Sequence, residues 1–100
     1  MANEITKENI HLPHQDPKYE FKDGRLWHRK SNYFIPDDEP VMVLRGKDQV
    51  SISAIEAYIK TMQSVVPQTE FTQQHIDSVT ERLNAFKSFQ EQYPQKVKLW

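Results

Sequence analysis

Tyr19-Glu20-Phe21-Lys22-Asp23-Gly24-Arg25-Leu26-Trp27-His28 sets an Asp-Gly pair between two short runs of alternating side chains. Asp-Gly suits a two-residue type I′ turn, because both central residues of that turn need positive φ. The turn dictates the register. Lys22 is expected opposite Arg25, Phe21 opposite Leu26, Glu20 opposite Trp27 and Tyr19 opposite His28. One face of the hairpin then carries Tyr19, Phe21, Leu26 and His28, and the other Glu20, Lys22, Arg25, Trp27 and Arg29. Moving outward, Ser31-Asn32 can return the chain into a third strand, Tyr33-Phe34-Ile35. Pro36 to Pro40 reads as a loop, with three carboxylates between two prolines. Val41-Met42-Val43-Leu44 is an unbroken apolar run and predicts a strand buried on both faces. Residues 19–45 are thus expected to form a small antiparallel meander of three or four strands.

The period changes downstream. Ile52, Ile55, Ile59, Met62 and Val66 are separated by steps of 3, 4, 3 and 4, one stripe of a helix that Tyr58 and Val65 widen. Asp48 is placed to act as its N-cap, and Pro67 ends it. Thr69 or Thr72 can cap a second helix whose stripe runs Ile76, Val79, Leu83, Phe86 and then Phe89 or Tyr93, with Pro94 as its stop. The short link makes the pair an antiparallel hairpin over residues 48–93. The fold class expected is α+β, a small antiparallel β-meander followed by an antiparallel two-helix hairpin. Residues 1–18 read as a flexible N-terminal arm that either frays or lies across a neighbour, Ile10 and Leu12 anchoring it in the second case, and residues 19–100 as a single domain. The tail from Lys96 to Trp100 alternates, so it is expected to add an edge strand or to dock its Trp.

Composition closes off several classes. The chain has 100 residues, and its 13 Lys and Arg against 14 Asp and Glu leave a net charge of −1. Near-neutrality argues against nonspecific duplex-DNA binding. Without cysteine there is no disulfide scaffold, thiol nucleophile or Cys-type zinc site. No apolar run reaches the ~18 residues of a membrane span, and no leader pattern opens the chain, so a cytoplasmic protein is expected. Apolar residues make up 37%, below the ~45–50% usual in globular chains, which leaves one thin core.

No constellation suits catalysis. The histidines at 11, 14, 28 and 75 have no nucleophile or carboxylate at a catalytic spacing, and both glycines sit at turns rather than in a phosphate loop. His11-x-x-His14 lacks the further ligands that zinc needs, and Asp37-Asp38-Glu39 lacks the glycine of a calcium loop. The expectation is therefore no enzyme, no metal and no cofactor. Two features remain. Arg25, Trp27 and Arg29 share a hairpin face, either as a stacking platform for a base with arginines for phosphate, or as an indole under a packed layer. Arg45 and Lys47 flank the start of the first helix, where backbone amides attract anions; Arg45 alternatively pairs with Asp48 or with the acidic loop.

The stretch from Ile35 to Asp48, followed by a helix, resembles a group of short proteins encoded by bacteriophages with the pattern E-P-V-x-x-L-R-x-x-D. Glu39, Pro40, Val41, Leu44, Arg45 and Asp48 carry that pattern here. The resemblance implies a counter-defence setting, in the host cytoplasm, and a homo-oligomer with pockets between subunits. Combined with the residues, it gives the expected function. The chain would capture a phosphorylated or nucleotide-like signalling molecule, with Trp27 and Tyr33 stacking and Arg25, Arg29, Arg45 and Lys47 meeting phosphate. The alternative is an inhibitor or assembly adaptor that binds a host defence protein through the helical hairpin and the acidic loop.

Overall fold

The computed structural model describes residues 14–99. Three antiparallel strands, β1 (Tyr19–Lys22), β2 (Arg25–His28) and β3 (Tyr33–Phe34), precede two helices, α1 (Ser51–Val65) and α2 (Glu70–Gln92), and a 3₁₀ turn at Pro94–Lys96. The class is α+β, as the two periodicities require. By compactness the chain divides between Met42 and Val43.

In the first unit the strand order is β1-β2-β3, and the hairpin pairs Tyr19 with His28, Glu20 with Trp27, Phe21 with Leu26 and Lys22 with Arg25. Asp23 and Gly24 supply the turn with φ of 54° and 74°. Asn32, at φ 55°, turns the chain into β3, where Phe34 faces Trp27 and Tyr33 faces His28. The Ile35 N–H donates to the Leu26 carbonyl at 2.9 Å, and Ile35 is the buried apolar residue among the described residues of this unit.

The meander stops there. Val41–Leu44 forms no strand, and Val41, Met42 and Val43 are exposed, Met42 by 79%. An apolar run becomes a buried strand only where a neighbouring edge offers partners. Here β3 is two residues long, and Pro36 and Pro40 contribute no N–H to a ladder.

In the second unit α1 and α2 are antiparallel neighbours, with Ile55, Met62, Ile76 and Leu83 buried along the seam. Tyr58, Val65 and Val66, read as part of the α1 stripe, are exposed instead. Thr69 caps α2, its Oγ1 accepting from the Thr72 N–H at 3.1 Å. The first helix starts at Ser51 rather than Asp48. Asp48 ends a tight turn closed by its own N–H to the Arg45 carbonyl, and its Oδ1 accepts from the Val50 N–H at 3.0 Å. It thus caps the turn before the helix and leaves α1 without a side-chain cap. The tail does add a strand-like contact: Lys98 and Asp48 form an isolated parallel bridge. Ile10, Leu12, His11 and Trp100, singled out as arm anchors, metal-type spacing and docking Trp, lie outside the described residues. Among the described residues no helix is long and apolar enough to cross a membrane.

Candidate functional site

The meander brings Arg25 and Trp27 onto β2 and Tyr33 onto β3, with Arg29 just past the end of β2, and it uses the guanidinium groups of both arginines internally. Arg29 Nε lies 2.9 Å from Glu20 Oε1, and its Nη1 donates to the Pro17 carbonyl at 3.2 Å. Arg25 pairs with Asp37 at 3.2 Å and lays its guanidinium 4.5 Å from the Phe34 ring centre. The acidic loop thus finds its basic partner within the chain. Trp27 is half-buried, with the Lys22 ammonium 4.4 Å over its ring and the Phe34 ring against it at 4.7 Å. A base stacking there must displace a cation–π contact of about 0.5–1 kcal/mol. Tyr33 is exposed and stacks on His28 at 5.2 Å, the rings 8° from parallel. His28 Nδ1 accepts from the Ser31 N–H at 3.1 Å, so this histidine is held by local structure.

Arg45 and Lys47 belong to the helical unit, in the loop that leads into α1. The loop is fixed from two directions. Gln90 of α2 donates both amide hydrogens, to the Gly46 carbonyl at 3.0 Å and the Asp48 carbonyl at 2.9 Å. Gly46 lies flat against Phe89, where an added Cβ would come within 3.4 Å of the ring. From the other side the tail clamps the loop: Lys98 N–H donates to the Lys47 carbonyl at 2.9 Å, and Gln49 N–H to the Lys98 carbonyl at 2.8 Å. Sequence reading missed Lys98. Its alternating neighbours signalled a strand but not the partner, which lies fifty positions upstream.

Three cations therefore meet on one loop. Lys47 is half-buried, and desolvation, then the like charges of Arg45 and Lys98, hold its ammonium below the ordinary lysine value of 10.5. Arg45 is exposed, and among residues 43–99 no carboxylate lies within ion-pair distance of it. Of the two carboxylate partners expected for Arg45, Asp48 is thereby corrected. The segment before it is not a strand, and Asp48 turns its carboxylate to the Val50 N–H. The first turn of α1 contains no acidic residue, so the partial positive charge of its amides adds to the same sign.

A second feature lies at the other end of the helical hairpin. An open groove of about 620 Å³ runs along α1 and the start of α2, its lining including Ala54, Ala57, Tyr58, Met62, Phe71 and His75. None of its lining residues is Asp, Glu, Lys or Arg. Tyr58 Oη and His75 Nε2 lie 3.0 Å apart. Phe71, one of the lining residues, is 78% exposed. The sequence signal for it was a Phe that neither stripe absorbed.

No family model, curated protein or solved structure matches this chain.

Proposed function

We propose that the protein binds and sequesters a phosphorylated, nucleotide-like molecule without transforming it, the phosphates lying against Arg45, Lys47 and Lys98. The observation that carries this reading is the gathering of these three cations where the tail clamps the loop. Like charges held together cost the free protein, and an anion placed among them removes that cost while gaining charge-assisted hydrogen bonds. Guanidinium and ammonium groups differ in reach and geometry, a combination suited to a phosphate with several oxygens. The resemblance of residues 35–48 to phage-encoded proteins supports a counter-defence role, with an immune signal as the captured molecule. Arg25 and Arg29 enter the reading less directly, since each already has a carboxylate partner. Tyr33 and Phe21 are exposed aromatic residues of the meander.

The test is a thermal-shift series with inorganic phosphate, pyrophosphate, and mono-, di- and cyclic nucleotides. A ligand of the native state stabilises it by about 2.7 kcal/mol at a hundredfold excess over its Kd. We expect a saturable shift with at least one nucleotide, weakened by salt and lost in Arg45→Ala and Lys98→Ala. Because Arg45 is exposed, its removal should change stability by no more than ~0.5 kcal/mol, so lost binding will not reflect lost folding. No saturable shift across the series, or one undiminished in both variants, overturns the proposal.

A further inference from the structure

We infer that residues 39–45 pair antiparallel with the same residues of a second copy of this chain, Glu39 of each copy facing Arg45 of the other. The inference goes beyond the proposed ligand binding and does not rest on it. Residues 40–45 run without a turn or bend, and residues 40–44 make no backbone hydrogen bond to another described residue. Val41, Met42 and Val43 are all more than half exposed. An apolar segment whose main-chain donors and acceptors are open is a template for strand addition.

Charge selects the occupant. The apolar run is preceded by Asp37-Asp38-Glu39 and followed by Arg45 and Lys47. A segment acidic at one end and basic at the other repels a parallel copy of itself and matches an antiparallel one. Both ends are unanswered within their own units. Glu39 has no cation of residues 14–42 within ion-pair distance, and Arg45 no carboxylate of residues 43–99. Nor can the two meet in one chain, because six steps of extended backbone hold them about 20 Å apart.

Symmetry and Pro40 fix the register. A two-fold axis between antiparallel strands passes through one residue of each, and an axis at Met42 sets Glu39 opposite Arg45, Pro40 opposite Leu44 and Val41 opposite Val43. Hydrogen-bonded pairs alternate along such a ladder with pairs that exchange no bond. Pro40 has no N–H and must take one of the second kind, which places Met42 in another. Val41 and Val43 then exchange main-chain bonds across the axis, so the proline costs this pairing none. Arg45 has five N–H donors, and a carboxylate on one edge of the guanidinium leaves others for the phosphate of the proposed ligand.

The experiment is sedimentation of the full chain at 10–100 µM in a buffer free of phosphate and nucleotide, so its outcome is separate from that of the ligand test. We expect twice the 11.9 kDa chain mass. Glu39→Lys and Arg45→Glu each set like charges opposite one another and should raise the dimer dissociation constant about tenfold. Both positions are exposed, so folding is spared. Mixing the two variants should restore the dimer as a heterodimer, because every pair then joins opposite charges again. The chain has no cysteine, so Met42→Cys supplies a single thiol on the axis, where the two Cα atoms are about 4.5 Å apart and within disulfide reach. Mild oxidation should join it into covalent dimers on denaturing gels. Leu44→Cys, which the same register holds about 14 Å from its symmetry mate, should stay single. A native mass of 11.9 kDa at 100 µM overturns the inference. So does an assembly that neither charge reversal weakens, or one that Leu44→Cys cross-links as readily as Met42→Cys.

Discussion

Lys47 holds its charge among like charges. Partial burial and the neighbouring Arg45 and Lys98 lower its pKa from 10.5, so between the lowered value and 10.5 the folded chain holds fewer protons than the unfolded one. Stability through this group therefore rises with pH across that alkaline window, and below it the full penalty is present. Lys47→Gln keeps the backbone carbonyl that accepts from Lys98 and removes only the ammonium. At neutral pH and low salt it should melt higher than the parent, and the gap should narrow with added salt and as pH approaches 10.5. Melting curves at three pH values and two salt concentrations check this; a gap independent of both refutes the charge assignment. Arg45 and Lys47 were legible in the sequence, because a basic pair beside a helix start has a local meaning. Lys98 was not, since its partner is brought to it only by the whole helical hairpin.

Among the elements, local chemistry predicted structure well wherever the partner was near in sequence. Asp23-Gly24 specified a turn, and the turn specified four cross-strand pairs, all of which form. Pro67 and Thr69 bounded the helices for reasons that act within one turn. The Thr69 cap is worth testing, because α2 is 23 residues long with a sparse apolar stripe and depends on its ends. Thr69→Ala removes the acceptor for the Thr72 N–H and should cost ~1 kcal/mol. Urea titration followed at 222 nm measures it; Thr69→Ser should restore most of the loss. Two elements were misread for one reason. Val41–Leu44 looked like a strand by composition, and Asp48 like a helix cap by residue type, but both outcomes depended on what else competed for their backbone groups. Pro36 and Pro40 denied the first a ladder, and the tight turn at Arg45–Asp48 took the second.

For the molecule as a whole, a low apolar content means that its ordered regions rely on a few buried side chains and on specific backbone clamps. One clamp sets an order in time. The α1–α2 connection closes over a handful of residues, whereas the bridge between Asp48 and Lys98 closes a loop of fifty, which costs more chain entropy and must wait for the hairpin to form. The bridge is then the last contact made and the first to open. The amide protons of Gln49 and Lys98, which donate across it, should exchange with deuterium at a common rate, faster than the amide of Leu83 in the middle of α2. Equal protection at all three would mean that the tail opens only with global unfolding. Since the three cations are together only while the tail is seated, their repulsion shortens the seated state's lifetime, and a captured anion should lengthen it. The tail would then act as a latch whose dwell time is set by its cargo, and dissociation of a bound phosphate would proceed no faster than the unlatching seen in the exchange of two backbone protons.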